Sequence, residues 1–342
     1  MLLLLSEYDY VYKLVKVIFL MILGIECTAH TFGVGIANKG KILANVKDMY
    51  IPKTGGIIPM ESAKHHREVS EDLYVEALSK SGINEKDIDA IALSNAPGLS
   101  PCLLAGMHFA KEKAKKLGVP IVPVNHCIAH LEIGRSVGAR DSVLLYASGA
   151  NTQIIAYASG KYRVFGETLD VGVGNFIDKV ARHFGMPFPG GPKIEVAAKT
   201  GKYLELPYSI KGMDVSFSGM QTKLQQLFDK GEKIENLAFS MQETAFAMLV
   251  EAAERAMAHT GKKELVLGGG VGCNSRLQEM CRKMCEERGA KFFCPDRSLL
   301  VDNAAMIAYT GEIMFNSGIK EKPENVDIKP RERTDDVEIL WR

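Results

Sequence analysis

The segment His126-Cys127-Ile128-Ala129-His130 places two histidines at i and i+4. On a helix such a pair lies on one face, with Cβ atoms about 5–6 Å apart, close enough to chelate one cation. The same spacing serves surface and capping histidines. Position favours the chelate: the pair follows the strand-like run PIVPVN (120–125), at the strand end where α/β proteins put ligands. The pattern is not that of the HExxH zinc proteases. Cys127 stands where that motif needs a glutamate as general base, and Glu132 lies beyond the second histidine in a different geometry. Two further side chains fit a metal. Asp302 opens the last helical run, where an aspartate also makes a good N-cap. Tyr146 ends a strand-like run before a Ser-Gly turn, and its alternative role is a core aromatic.

A second group of residues suits a nucleotide. Small-residue loops occur at Ser148-Gly149-Ala150-Asn151, Gly172-Val173-Gly174-Asn175, Gly190-Gly191 and Gly268-Gly269-Gly270-Val271-Gly272. Backbone N–H groups in such turns bind phosphate or ribose without side-chain clash. No GxxxxGK[ST] is present, so this is not a P-loop chain. Asp178 and Glu195 each follow one of these loops, and are either holders of ribose hydroxyls or a substrate amine, or solvated helix charges. Asn274 follows the last loop, as an N-cap or an adenosine contact.

The elements that must position these residues repeat. From Met21 the pattern is a hairpin (21–36 and 41–50, turning at Asn38-Lys39-Gly40), a Gly/Pro loop (51–60) and a helix (61–81). A buried strand (88–94), a helix to about 117 and the strand 120–125 follow, leading into a helix near His126. The pattern then restarts with a hairpin over 142–160 and the strand 161–168. Helices follow at roughly 172–185 and 234–260, then strand, glycine loop and helix start at 264–277, a strand at 291–295 and a last helix at 302–317. Two halves each opening on a hairpin with a small-residue turn resemble the duplicated actin/Hsp70/sugar-kinase fold, an α/β architecture of two lobes with a ligand cleft between them. The lobes are expected over 21–140 and 141–330, with the last helix packing back on the first lobe and a tail at 331–342.

Composition is that of a globular protein: 342 residues, 46% hydrophobic and 24% charged, with a formal net charge of +1 that argues for no particular partner. Seven cysteines, an odd number without a CxxC, exclude a disulfide framework and a zinc ribbon and fit reduced cytosolic thiols. Residues 1–20 are apolar but carry Glu7, Asp9, Lys13 and Lys16. The uncharged start is too short to span a bilayer and lacks a secretory cleavage pattern. They are read as an N-terminal extension or disordered arm, and the chain as cytoplasmic, with no membrane partner.

Seven stretches taken together are similar to one family: VNHCIAHLEIGR (124–135), LLYASGANTQ (144–153), FGETLDVGVGNFIDKVAR (165–182), PGGPKIE (189–195), KGMDVSFSGM (211–220), GGGVGCNSRL (268–277) and VDNAAMIA (301–308). They resemble the universal tRNA N6-adenosine threonylcarbamoyltransferases, the TsaD/Kae family once labelled O-sialoglycoprotein endopeptidase. KPRERTDDVEILW (329–341) resembles the archaeal and eukaryotic-cytosolic branch.

The resemblance implies an actin-like ATPase fold and one divalent metal of iron or zinc type, held by His126, His130, Tyr146 and Asp302. It implies nucleotide or adenylate contacts from Tyr146, Ala147, Ser148, Gly149, Ala150, Asp178, Gly191, Glu195 and Asn274. It implies transfer of a threonylcarbamoyl group from threonylcarbamoyl-adenylate to N6 of the adenosine just 3′ of the anticodon (adenosine 37), giving t6A in tRNAs that read codons beginning with A. It also implies a place as catalytic subunit of the KEOPS complex, beside a small Bud-type kinase and a small dimerising subunit. N6 of adenosine is a poor nucleophile, so catalysis should act on the electrophile through a Lewis acid; no general base stands out. The alternatives are a metal-dependent glycoprotein endopeptidase and a catalytically weak nucleotide-binding scaffold. Departures from the family pattern are Ala150 for a usual glycine, with an expected effect on positive-φ geometry; Cys27 for a glycine; Ile58 for a histidine; and SNAPGLSPCL (94–103) for Gln-Gly-Pro-Gly-Leu-Gly.

Overall fold

A computed structural model describes residues 20–52 and 56–342. The reading of residues 1–20 therefore falls, apart from Leu20, outside the described residues. The first sheet contains β1 (Ile22–Glu26), β2 (Thr31–Asn38), β3 (Lys41–Met49), β4 (Ala90–Ala96) and β5 (Ile121–Asn125) in the order β3-β2-β1-β4-β5. The first three run antiparallel, and β4 and β5 add parallel. The second sheet is built from β6 (Val143–Ala147), β7 (Thr152–Ala158), β8 (Lys161–Glu167), β11 (Glu264–Gly268) and β12 (Lys291–Phe293) in the order β12-β11-β6-β7-β8. Here too a three-stranded meander opens the sheet and two parallel strands extend it. Read from the meander edge, both sheets have the same order, so the duplication expected from the two hairpins is present at the level of topology. A short hairpin, β9 (Ile210–Lys211) with β10 (Asp214–Val215), stands apart.

Side-chain alternation assigns each strand residue to one of three apolar layers. Leu23, Ile25, Ile91 and Leu93 face α1 (Pro59–Ser81) and α2 (Ser100–Leu117). Val143, Leu145 and Ala147 face the helices of the second lobe, α4 (Val173–His183) and α7 (Ile234–Thr260) among them. The opposite parity (Ile22, Ala92, Val124, Leu144, Tyr146, Val266) fills the layer between the sheets, shared with α3 (His126–Glu132) and α10 (Ala304–Asn316). Tyr146 thus enters the layer that holds the histidines because it lies an even number of residues from Leu144.

Helix α10 seats on β1 and β2 through glycines. A Cβ on Gly24 would stand 2.4 Å from the Ala304 carbonyl oxygen and 2.5 Å from the Ala308 nitrogen, and one on Gly35 2.5 Å from the Ala305 nitrogen. These are backbone atoms of the helix, so relief requires the whole helix to move. Gly24→Ala is expected to cost about 3 kcal/mol, the upper end of overpacking effects. Because Asp302, a candidate metal ligand, leads into this helix, any metal binding through it should fall with stability. Urea denaturation and metal analysis of the variant check both.

The structure changes some local readings. Asp302 is not the N-cap of the last helix. Asn303 is, its side chain accepting from the Met306 N–H at 2.9 Å, which leaves the Asp302 carboxylate free for other work. Ala150 does not occupy a positive-φ conformation; among described non-glycine residues only Lys39 and Ser159 do. The Cys27 side chain fills space beside Gly106, whose absent Cβ would lie 2.2 Å from its Sγ. Ile58 is the N-cap residue of α1 and supplies no side-chain acceptor. Elements without a clear sequence signature are α5 (Gly191–Ala197), α6 (Ser218–Asp229), α9 (Arg297–Leu300) and the β9–β10 hairpin; α8 (Ser275–Glu287) is the helix expected after Asn274.

After α10 the chain runs as an irregular strap. Glu321 pairs with Ile121, and the Lys329 N–H donates to the Asn95 carbonyl at 2.9 Å on the first lobe. Arg333 reaches Glu167 on the second lobe at 3.3 Å. The buried Trp341 indole donates to Glu132 of α3 at 3.2 Å, and Arg342 donates to Tyr162 at 2.8 Å.

Candidate metal centre

Strand β5 ends on Asn125, whose Oδ1 accepts the Cys127 and Ile128 N–H groups at 3.1 and 3.3 Å and so starts α3. Every residue of this short helix is buried. One turn of it carries both histidines into the layer between the sheets, with ring centroids 4.8 Å apart. Asp302 approaches from the segment before α10: its Oδ1 is 3.4 Å from His126 Nε2 and 3.6 Å from His130 Nε2. Donor atoms of His126, His130 and Asp302 all lie within 4.8 Å of one another. Tyr146 comes from β6, its hydroxyl 3.1 Å from His126 Nε2 and its ring centroid 4.7 Å from that of His130. Both nitrogens of buried His130 lack a hydrogen-bond partner. An imidazole taken out of water without a partner carries a desolvation cost, which metal ligation removes. Two imidazoles, a carboxylate and a phenol oxygen would make a mixed N/O donor set of the kind that holds a divalent metal ion.

Sequence reasoning missed Glu26. It ends β1, is fully buried, and its Oε2 lies 2.9 Å from His126 Nδ1. Its Oε1 accepts from the Thr28 N–H at 2.8 Å and the Thr28 hydroxyl at 2.6 Å. A carboxylate on Nδ1 fixes the tautomer and turns the Nε2 lone pair toward Asp302 and Tyr146, the usual support of a metal-binding histidine. The available signal was one acid at the end of an otherwise apolar buried strand, ILGIE.

The electrostatics of the cluster agree. Burial pulls the His126 imidazole down, but Glu26, Tyr146 and Asp302 more than reverse this and hold it well above the ordinary histidine range. Burial lowers His130 against the opposing pull of Asp302. Burial would raise Asp302, yet the imidazoles of His126 and His130 facing its carboxylate keep it well below the ordinary carboxylate range. Burial pushes Tyr146 up. A field that holds positive charge between Glu26 and Asp302 is also the field a divalent cation needs, and proton and metal compete for the same nitrogen.

The nucleotide candidates form a continuous wall beside this cluster. Ala147 closes β6, and the loop Ser148–Asn151 packs on Gly172–Asn175: the Gly174 N–H donates to Ser148 at 3.0 Å and the Asn175 N–H to Gly149 at 2.9 Å. A Cβ on Gly172 would meet the Gly149 and Ala150 carbonyl oxygens at 2.4 Å, so the loops touch backbone to backbone. Asp178 Oδ1 accepts from the Gly190 N–H at 2.8 Å, beside Gly191 at the start of α5. Glu195 Oε1 accepts from the Ser275 N–H and hydroxyl at 2.8 and 2.6 Å. Asn274 caps α8 and donates to Gln242 at 2.6 Å. Asp178, Glu195 and Asn274 are thus each partly occupied in joining one loop to the next, a role that spacing did not reveal.

The family model for tRNA N6-adenosine threonylcarbamoyltransferases (TsaD) matches residues 41–309. The chain belongs to this transferase family. It is 53% identical over 321 residues to the tRNA N6-adenosine threonylcarbamoyltransferase of Thermococcus kodakarensis, covering 93% of this chain and 99% of the relative. The transferase of Archaeoglobus fulgidus is 51% identical with the same coverage. A Methanosarcina mazei protein named a probable bifunctional tRNA threonylcarbamoyladenosine biosynthesis protein is 51% identical over 94% of this chain and 59% of its own length. Among solved structures, Thermococcus kodakarensis HypF superposes with a TM-score of 0.61 at 15% identity, covering 87% of this chain and 48% of that one. The ADPNP-bound activator of 2-hydroxyisocaproyl-CoA dehydratase from Clostridium difficile gives 0.54 at 12% identity, covering 88% and 99%. With the two matching sheets, these place the transferase chain in the duplicated actin-like ATPase fold expected from its sequence. Among the described residues, no helix is long and apolar enough to cross a membrane.

Proposed function

We propose that this chain transfers the threonylcarbamoyl group of threonylcarbamoyl-adenylate to N6 of the adenosine 3′ of the anticodon, with His126, His130, Tyr146 and Asp302 holding one divalent ion of iron or zinc type. The observation that carries the reading is the buried, unpartnered His130 facing His126, Asp302 and Tyr146 in a chain of this family. When bound there, the ion supplies a Lewis acid for the carbamoyl or phosphate oxygen. Glu26 holds His126 by its Nδ1 and keeps Nε2 on the open side. The loops from Ala147 to Asn151 and at Gly172, Gly191 and Asn274 hold the adenylate in line for attack. Asp178 and Glu195 each use one carboxylate oxygen within the wall and keep the other for ribose. The target base must leave the anticodon-loop stack, which costs least in single-stranded RNA.

The endopeptidase reading lacks a base. Glu26 lies on the Nδ1 side of His126, and Glu132 is tied to Arg135, Trp341 and Arg342. No specific observation favours the scaffold reading. The proposal extends to the assembly: a cytoplasmic subunit of the KEOPS complex, with a small Bud-type kinase and a small dimerising subunit. A bifunctional Methanosarcina relative, of which this chain covers 59%, supports a second activity working beside this one. The test is reconstitution of the full chain with these partners, synthetic adenylate and tRNA, followed by mass spectrometry of the nucleosides with and without a chelator. Chelator-sensitive t6A is expected; unmodified tRNA in the metal-loaded reaction rejects the proposal.

A further inference from the structure

Lys47 lies on β3, at the open edge of the first sheet, and is half-buried. Its Nζ donates to the main-chain carbonyl of Asp302 at 3.0 Å, its one hydrogen bond among the described residues. No carboxylate among the described residues lies within ion-pair distance of it, whereas the more deeply buried side chains of Lys113 and Lys262 have Glu71 and Asp141. A half-buried cation with unused N–H groups and no counter-ion is costly to keep unless an anion completes it.

Its surroundings show which anion. Lys47 lies where the first lobe meets the glycine loop of the second: Asn45, two residues before it, donates to the Ser298 carbonyl of α9 at 3.3 Å, and α9 packs on that loop, with Leu300 Cδ2 3.6 Å from a Cβ built on Gly272. Arg297, exposed on α9, likewise has no carboxylate partner among the described ion pairs. The segments that carry Lys47 and Arg297 thus meet at the loop after β11, beside the residue that presents the Asp302 carboxylate and ahead of the Glu195–Ser275 end of the nucleotide wall. We propose that Lys47, assisted by Arg297, is the phosphate anchor for the nucleotide half of the donor and for the AMP product. Resting on the transferase reading above, this adds a binding residue from the first lobe to a wall otherwise built by the second. In this geometry the Asp302 carbonyl orients the ammonium, and its remaining N–H groups make charge-assisted hydrogen bonds to phosphate.

Isothermal titration of the full chain with AMP and with adenosine, at matched zinc loading, tests the anchor. Lys47→Met is expected to weaken AMP binding about ten-fold or more, the scale of a lost charge-assisted hydrogen bond, while leaving adenosine affinity and zinc stoichiometry unchanged. Lys47→Arg should recover most of the AMP affinity, because it restores charge and donors. Unchanged AMP affinity in Lys47→Met overturns the proposal. So does an equal loss for adenosine, or loss of zinc, since either marks a structural role. Weaker tRNA binding with AMP affinity intact overturns it too, by giving the cation to the RNA backbone. Wild-type protein that binds neither AMP nor adenosine removes the nucleotide reading itself, a result distinct from any variant-specific failure.

Discussion

His130→Ala should empty the metal centre and lower t6A formation at least about 100-fold, the scale of losing an electrostatic catalyst at the reacting oxygen. His130 makes no hydrogen bond at either ring nitrogen, so its removal breaks no polar network that holds the fold. What the fold loses is packed volume against Tyr146 and His126, on the order of 1–3 kcal/mol for a large-to-small change in the interior. The two effects therefore separate. Metal analysis and nucleoside mass spectrometry should show near-complete loss, while thermal unfolding shows a modest one. Wild-type metal content together with a wild-type rate would remove His130 from the centre.

Glu26→Gln should lower metal affinity by about 10–100-fold, the usual effect of altering the partner of a metal-binding histidine. The amide can keep the Nδ1 contact and still accept from Thr28, but it no longer carries the charge that His126 faces. Stability should move differently. A fully buried carboxylate is costly to desolvate, and a neutral isostere with most of its hydrogen bonds intact is near-neutral or stabilising for the metal-free chain. The expected result is a protein as stable as wild type that needs more metal for half-maximal t6A formation. A competition titration against a chromophoric chelator measures the first quantity, and an unshifted midpoint there would deny Glu26 its supporting role.

What was legible in the sequence was local. The His126–His130 spacing, the glycine loops and the paired hairpins are patterns within a few residues, and they marked the helix that carries both histidines, the loops that pack on one another and both sheets. The contribution of Tyr146 and Asp302 to the metal set came from family resemblance, because each had an adequate structural role of its own. Asp302 lost its alternative when Asn303 took the cap. Glu26 and Lys47 were invisible for a physical reason: their partners lie 100 and 255 residues away along the chain, and only the assembly of the first sheet and the seating of α10 on it bring them together. The strap also escaped notice, since its irregular backbone leaves no hydrophobic period to read.

The strap also gives the molecule an optical property. Trp341 is the single tryptophan of the chain. Its indole is nearly sealed from water at 9% exposure and bonded to Glu132, the last residue of the helix that presents both histidines. Native tryptophan emission therefore arises from one indole in one environment, beside the helix that carries both histidines. Releasing that indole to solvent shifts the band to longer wavelength, so a cuvette measurement can follow whether the strap still grips the histidine helix, with no label attached.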